Sequence, residues 1–314
     1  MKAFLRDLLR GYLPCCPITE GKGRLYRLLS ERLLPEEPEV LVRLAPGFQM
    51  ALDLTEAAQR EIYYFGTYER KESALLRRIL RVGDVFWDVG ANLGYYTLLG
   101  AACVGRGGRV VAFEPFPPAW ERLQKNLGLN GFGQVMSLNV AVSSAEGTAP
   151  LYFEREVADG VATFIRPECP TSSVLCTTLS LDQMLKERHE RPPLVMKVDV
   201  EGWEKAVLDG ARHLLASPAP PMLLLEMEEA HFVRAGSSRH EIEQVLSRLG
   251  YTAYQPRGRR WIVCHGFDGV RARSIFWLCP LNPVHLERAR KAGILELSTS
   301  GSTTSIGRPA GARE

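Results

Sequence analysis

The central part of the chain alternates short apolar runs with longer segments in which apolar residues recur every three or four positions. Strands that alternate with helices of this length are typical of a parallel sheet covered by helices on both faces. The sequence therefore predicts an α/β fold with a mostly parallel sheet. The predicted elements are strand 85–89, helix 94–104, strand 109–114, helix 117–130 and strand 135–141.

The pattern differs at both ends of this alternating region. Residues 1–45 carry apolar residues at helical spacing beside basic ones, which predicts an N-terminal helical extension packed on the domain that follows, 46–292. A basic amphipathic start that touches a membrane surface is the alternative. The segment 293–314 is rich in serine, threonine and glycine, and we expect a disordered tail.

Two further segments interrupt the alternation. The segment 147–177 contains β-rich pieces separated by turn residues, and we interpret it as an antiparallel hairpin inserted over the active-site face. After a helix at 239–249, predicted strands at 251–255 and near 261–265 and 274–279 follow one another without an intervening helix. This order predicts an antiparallel hairpin at the C-terminal edge of the sheet.

The strand at 85–89 leads into a glycine turn and then a helix. Its motif runs Asp88-Val-Gly90-Ala91-Asn92-Leu-Gly94. A strand, a glycine turn and a helix form a nucleotide-sized pocket above the carboxyl end of the strand, and the glycines let the backbone approach a ligand. The dinucleotide fingerprint G-x-G-x-x-G would need glycine at positions 92 and 95, which hold asparagine and tyrosine.

The acids near this turn indicate which ligand fits. A carboxylate at Asp88 repels phosphate and attracts an ammonium or sulfonium group. The next strand ends in Glu114-Pro115, and an acid about 20 residues beyond the glycine turn accepts hydrogen bonds from both ribose hydroxyls in such folds. A ligand with a ribose, a positive centre and no phosphate is S-adenosylmethionine. A third strand ends near Ala141, where we expect adenine contacts.

The helix that precedes the first strand begins beside the same edge of the sheet. Tyr68 and Glu69 stand at its start, and we expect them to fold over the mouth of the cofactor pocket. A surface capping role is the alternative for this pair.

A second group of charges follows the next predicted strands. Lys197, Asp199 and Glu201 alternate along one strand and therefore share a face, and Glu226 ends the strand after it. Charges on a buried strand are costly unless they are paired or functional. We expect these four residues to be catalytic, with a carboxylate that removes a proton from the methyl acceptor.

Two alternatives remain for this face. One is a structural pair of Lys197 with Asp199, with Glu201 capping the next helix; the other makes His231 the base. A divalent metal is not favoured, because no histidine neighbours the acids in sequence and carboxylates alone bind magnesium loosely. We therefore predict no metal ligands.

Composition narrows the class of protein further. The hydrophobic content of 46% and charged content of 24% are ordinary for a globular protein, and a net charge of +3 does not indicate a nucleic-acid partner. The seven cysteines match no zinc spacing and suggest free thiols in a reducing cytosol, so we expect a cytoplasmic protein. No uninterrupted apolar span predicts a transmembrane helix.

Taken together, these motifs resemble the FkbM-type methyltransferases over residues 47–230. The resemblance implies a class I, Rossmann-like methyltransferase fold with seven strands, S-adenosylmethionine as cofactor, and O-methylation of a sugar, polyketide or other small metabolite. Trp203 departs from the pattern, since this position more often holds a small residue. The motifs are Phe65-Gly66, Tyr68-Glu69, Asp88 to Thr97, Phe113-Glu114-Pro115, Leu123 to Asn130, Leu181-Asp182, Lys197 to Gly202 and Leu225-Glu226.

Two other classes of function are weighed against this one. A nicotinamide-dependent oxidoreductase is disfavoured by Asn92 and Tyr95, which break the dinucleotide spacing. A non-catalytic protein that binds S-adenosylmethionine and acts through partners is disfavoured by the acids on the acceptor side.

Overall fold

A computed structural model gives the structure of residues 1–15, 22–35, 37, 39–153, 162–166, 172–258, 260–267, 270 and 272–294. Its helices are α1 (Lys2–Cys15), α2 (Lys22–Leu29), α3 (Ala57–Phe65), α4 (Arg70–Ile79), α5 (Tyr95–Val104), α6 (Pro117–Gly128), α7 (Leu181–Arg188), α8 (Glu204–Asp209), α9 (Arg212–Leu215), α10 (Glu229–Arg234), α11 (Arg239–Arg248) and α12 (Pro283–Lys291). Its strands are β1 (Glu39–Leu44), β2 (Phe48–Asp53), β3 (Val85–Val89), β4 (Arg109–Phe113), β5 (Val135–Leu138), β6 (Ala141–Val142), β7 (Gly147–Phe153), β8 (Ser172–Leu179), β9 (Val195–Val198), β10 (Met222–Glu226), β11 (Thr252–Arg257), β12 (Arg260–Val263) and β13 (Ser274–Leu278).

The central sheet has the strand order β12-β11-β13-β10-β9-β3-β4-β5. Neighbouring strands from β10 to β5 are parallel, and β13 runs antiparallel to both β10 and β11. This confirms the predicted mostly parallel sheet with an antiparallel C-terminal hairpin. The strand predicted near 261–265 is β12, which pairs antiparallel with β11 at the edge, so the sheet has eight strands and not the seven that the resemblance implies.

Helices cover both faces of this sheet. All five residues of β3 are buried, and its side chains alternate between two apolar clusters. Phe86 belongs to the cluster that includes Leu76 of α4 and Leu98 of α5. Its neighbour Trp87 belongs to the cluster that includes Met184 of α7. A strand buried on both faces reads as a continuous apolar run, which explains why β3 was visible in the sequence.

The sequence predicts an extended segment from Leu41 to Leu54 with a turn at Pro46-Gly47, and the structure confirms it. β1 starts at Glu39, inside the predicted helical extension, and forms an antiparallel hairpin with β2. Two asparagines of the α6 region hold this hairpin: Asn126 accepts a hydrogen bond from the N–H of Ala51 (2.8 Å) and Asn130 one from Gln49 (2.7 Å). The hairpin is therefore docked on the central domain.

The predicted inserted hairpin forms a small sheet of its own, in the order β6-β8-β7. The short piece 162–166 lies beside it, where Thr163 and Tyr152 exchange two backbone hydrogen bonds. At the other end of the chain Ile294 is buried, so packing continues to that residue. The rest of the predicted tail lies outside the described residues. Among those residues, no helix combines the length and the apolar character needed to cross a membrane.

Candidate active site

A cleft opens at the carboxyl edge of β3, β4, β9 and β10. Its volume is about 1100 Å³ when the open solvent at its mouth is included. In parallel α/β sheets this edge is where ligands bind, because the loops there leave a crevice between them. The predicted site residues that line the cleft are Tyr68, Glu69, Gly90, Ala91, Asn92, Glu114, Pro115, Lys197, Asp199, Glu201 and Glu226.

The loop after β3 is shaped by close backbone contacts. Gly90 has φ of +81°, and a Cβ there would lie 1.8 Å from the carbonyl oxygen of Asp199. Only glycine permits this approach of the β3 and β9 ends. Asn92 also has positive φ, +48°, which turns its backbone N–H toward the carboxylate of Glu114.

Glu114 is fixed by two backbone amides. Its Oε2 accepts a hydrogen bond from the N–H of Asn92 (2.7 Å), and its Oε1 accepts one from the N–H of Phe116 (2.9 Å). Burial raises the pKa of this carboxyl to about 7, although both amides lower it. Each oxygen keeps a second lone pair, so the carboxylate can hold the loop and still accept from a ligand.

Asp88 does not line the cleft, which corrects the predicted contact with a cofactor amine. The side chain is 0% exposed, and its Oδ2 accepts a hydrogen bond from Thr97 of α5 (2.6 Å). Asp88 comes before the last residue of β3, so its side chain points between the sheet and α5 and not over the strand end. Burial raises its pKa.

Gly94 and Ala141 also lie outside the cleft wall. A Cβ on Gly94 would meet Leu123 Cδ1 at 2.4 Å, so this glycine allows α5 to pack on α6. Ala141 lines a separate, smaller hollow of about 210 Å³ next to the cleft. Trp203 closes that hollow together with Phe164 of the inserted segment, with ring centroids 5.2 Å apart.

Lys197 is an internal counter-ion. It is 4% exposed, and its Nζ lies 2.8 Å from Asp199 Oδ2 and 4.6 Å from the ring centroid of Tyr96. Burial favours the neutral amine, but Asp199, Asp88 and Glu69 together raise the pKa of Lys197 above its ordinary value. The catalytic role expected for Lys197 stays a prediction, and the contacts of Lys197 make it the counter-ion of Asp199.

The structural alternative for this face had two parts, an ion pair of Lys197 with Asp199 and a helix cap by Glu201, and the structure contains only the first. Burial favours protonation of Asp199, yet Lys197 holds the pKa of Asp199 below its ordinary value, so the expected ion pair exists. Glu201 does not cap the next helix. The N-cap position of that helix is Trp203, which makes no side-chain cap, and Glu204 accepts hydrogen bonds from the N–H groups of Val200 and Gly202 in the loop before the helix. Glu201 is left facing the cleft.

Tyr68 and Glu69 line the cleft at the start of α4, as the lid prediction requires. Glu69 has φ of +40°, and its Oε2 accepts a hydrogen bond from the hydroxyl of Tyr96 (2.6 Å). Burial raises the pKa of Glu69 to about 7. The Tyr68 ring packs edge-on against Tyr95. Both side chains are thus held by α5 beside the cleft.

His231 and Arg273 join the acid face, and sequence reasoning gave too little weight to the first and missed the second. His231 Nε2 lies 3.1 Å from Glu201 Oε2, and its Nδ1 lies 3.4 Å from Glu226 Oε2. Arg273 donates to Glu226 Oε1 (2.9 Å). Glu226 raises the pKa of His231, whereas burial raises that of Glu226 to about 8.

In the sequence, His231 and Arg273 could have been found only from their positions close to a predicted strand. His231 lies five positions after Glu226, and Arg273 comes directly before β13. The pairing of β13 with β10 brings the start of one strand to the end of the other, and that register is not readable from the sequence.

Comparison with known proteins identifies the family. Residues 88–253 match the family model described as Methyltransferase FkbM domain. The chain belongs to this family. Its fold, a mostly parallel α/β sheet with antiparallel strands at one edge, is the predicted class I methyltransferase fold, so both the resemblance and the fold class are confirmed.

Two curated relatives of this FkbM-domain chain differ in how much they share with it. The hexuronic acid methyltransferase AglP of Haloferax volcanii is 32% identical over 152 residues, which are 47% of this chain and 59% of that protein. The AMB antimetabolite synthetase AmbE of Pseudomonas aeruginosa is 36% identical over 114 residues, 35% of this chain and 5% of that protein. The match therefore spans less than two thirds of either relative.

Solved structures give weaker likenesses. The methyltransferase FkbM from Methylobacillus flagellatus has a TM-score of 0.40 and 15% identity, with 81% of this chain and 58% of that chain covered. A SAM-dependent O-methyltransferase from Thermotoga maritima has a TM-score of 0.38 and 15% identity, with coverage of 76% and 77%. The family assignment rests on the sequence match.

Proposed function

We propose that this protein transfers the methyl group of S-adenosylmethionine to a hydroxyl group of a small acceptor, most simply a carbohydrate. Family membership supports methyl transfer. The choice of cofactor and of a hydroxyl acceptor is supported by one observation: a single cleft has a fixed carboxylate, Glu114, at one end and an acid face at the other. That face consists of Asp199, Glu201 and Glu226.

The cofactor side of the cleft suits a ligand with a ribose and a positive centre. Glu114 is held rigidly by Asn92 and Phe116, with lone pairs left for the two ribose hydroxyls. Asp88 is buried away from the cleft, whereas Glu69 lines it. Glu69 is therefore the acid that binds the cofactor's amine, the contact that the sequence predicted for Asp88. Several acids in one cleft also favour the sulfonium over a phosphate.

The acceptor side suits an oxygen nucleophile. Methyl transfer forms an O–CH₃ bond as the CH₃–S bond breaks, and the hydroxyl proton passes to a carboxylate while S-adenosylhomocysteine leaves. Asp199 is kept ionised by Lys197 and can receive this proton. A carboxylate acceptor would add a further negative charge to an acidic face, so we expect a methyl ether and not a methyl ester.

AglP is named a hexuronic acid methyltransferase, and this name supports our proposal of a carbohydrate acceptor for the present protein. Labelled S-adenosylmethionine incubated with uronic acid glycosides and their neutral counterparts tests the proposal. We expect transfer to a sugar and a product that survives mild alkali, as ethers do and esters do not. Binding of cofactor without transfer to any acceptor would favour the non-catalytic alternative, and preferential binding of NAD would favour the oxidoreductase.

The acid face is tested with isosteric variants. We expect Asp199→Asn and Glu201→Gln to lower turnover about 100-fold or more, the usual scale for a lost general base, with the affinity for S-adenosylhomocysteine nearly unchanged. Glu187→Gln, on the exposed side of α7, is the matched control and should keep full activity. Wild-type turnover in both test variants would make these acids structural.

A further inference from the structure

We propose that Glu201, Glu226 and His231 bind a divalent transition-metal ion that holds the acceptor hydroxyl. Glu201 follows β9, Glu226 ends β10, and His231 lies in α10. The folded chain brings them together at the acceptor end of the cleft. The part played by the hydroxyl rests on the proposed function, whereas metal binding itself does not.

The spacing of the ligand atoms suits a single ion. One nitrogen or oxygen of each side chain lies within 4.8 Å of the others, and His231 Nε2 is 3.1 Å from Glu201 Oε2. On an ion with bonds of about 2.1 Å, ligands at right angles lie about 3.0 Å apart and opposite ligands about 4.2 Å apart. Small side-chain adjustments therefore close the three groups around one ion.

The cluster is not a completed hydrogen-bond network. Glu226 Oε2 and His231 Nδ1 lie 3.4 Å apart, but both atoms are buried without a hydrogen-bond partner. Glu226 as a whole is 5% exposed. A buried polar atom without a partner costs about 1–3 kcal/mol, and a bound cation removes that cost for the carboxylate oxygen. The unpartnered oxygen of Glu226 is thus available to ligate a cation.

Several carboxylates surround the cluster. Arg273 lies within ion-pair distance of Glu226 and Glu228, and the imidazole of His231 lies 3.1 Å from Glu201. Asp199 is paired with Lys197. A divalent cation bound here would be attracted by these carboxylates and would take the place of the proton that burial favours on Glu226.

The ligand set indicates the type of ion and its role. An imidazole nitrogen with carboxylate oxygens suits manganese or zinc better than magnesium, which prefers oxygen ligands. Glu201 and Glu226 line the cleft, so the ion presents open positions to the acceptor. A hydroxyl bound to such an ion loses its proton more easily, and Asp199 can then receive it. The sequence argument against a metal assumed no neighbouring histidine, and His231 removes that assumption.

Titration of the metal-free protein tests the site directly. The full chain, freed of metals with a chelator, is titrated with Mn²⁺ and separately with Zn²⁺ by calorimetry, without cofactor or acceptor. We expect one ion per chain, and binding weakened about tenfold or more in Glu201→Gln and His231→Gln. Pulsed electron paramagnetic resonance of bound Mn²⁺ should show coupling to a nitrogen that disappears in His231→Gln.

His240→Gln is the matched control. His240 Nδ1 lies 3.4 Å from Glu243 Oε2, the same pair at the same spacing as His231 and Glu226, but exposed. It should leave Mn²⁺ binding unchanged, and circular dichroism checks that each variant is folded. The metal site is wrong if wild type binds Mn²⁺ no more tightly than His231→Gln does. It is also wrong if the nitrogen coupling of bound Mn²⁺ persists in His231→Gln. Titration of the same metal-free samples with S-adenosylhomocysteine tests the proposed function separately.

Discussion

At the scale of single residues, Glu114 holds the loop after β3 and is also the residue that we propose binds the cofactor's ribose. Each of its oxygens accepts a hydrogen bond from a loop amide, so its removal disturbs the loop as well as any bound ribose. A simple loss of affinity in Glu114→Ala would mix these two effects. The test must therefore remove the ribose hydroxyl and the carboxylate separately.

We predict that the wild-type protein binds S-adenosylhomocysteine at least about tenfold more tightly than its 2′-deoxyribose analogue, the value of one hydrogen bond to a charged group. In Glu114→Gln this preference should shrink to about threefold or less, because the charge is lost. Isothermal titration of both ligands against both proteins gives the comparison. Equal preference in the two proteins would leave Glu114 with a structural role alone.

At the scale of elements, the N-terminal hairpin and the loop after β3 are tied to the same helix. Asn126 of α6, 2% exposed, accepts a hydrogen bond from the N–H of Ala51 in β2 and donates one to the carbonyl of Leu93 (2.9 Å). This side chain therefore couples the N-terminal segment to a loop that lines the cleft.

We predict that Asn126→Ala lowers the free energy of unfolding by about 1–3 kcal/mol, because it leaves the part-buried N–H of Ala51 and the buried carbonyl of Leu93 without partners. The urea midpoint at constant m-value measures this loss. Glu121→Ala, on the exposed face of the same helix, is the control and should change the stability by less than about 0.5 kcal/mol. Equal losses in the two variants would contradict the coupling.

At the scale of the whole molecule, His285 joins the C-terminal helix to the sheet. Its Nδ1 accepts a hydrogen bond from the N–H of Cys279 (3.0 Å), and its Nε2 lies 2.9 Å from the carbonyl oxygen of Pro220. Burial lowers the pKa of His285 to about 4, so the folded protein holds the neutral ring. A positive ring could not accept the bond from Cys279.

A lowered histidine pKa makes stability depend on pH in a defined direction. The contribution of the neutral ring is fully present above about pH 6.5 and is lost as pH falls toward 4, with a total of roughly 3 kcal/mol. We therefore predict that the stability difference between wild type and His285→Gln shrinks over this range. Urea unfolding at several pH values measures it, with the exposed His240→Gln as control. A difference independent of pH would exclude titration of His285.

The sequence by itself determined the order of strands and helices in the central domain, since that pattern depends on local alternation of apolar and polar residues. It also placed Glu114, Asp199, Glu201 and Glu226 at one edge, because parallel strands end at the same side of a sheet. What it left open was the direction of single side chains. Asp88 shares the motif yet points into the core, since one position along a strand reverses a side chain.

Only the tertiary structure decided which distant groups meet. His231 reaches Glu201 through the turn after β10, and Arg273 reaches Glu226 through the antiparallel register of β13. The first helix makes the same point, because its apolar residues Leu9 and Leu13 are buried whereas Leu8 and Tyr12 are exposed. A pattern in the sequence gives a helix its apolar face, but the shape of its partner determines how much of that face is covered.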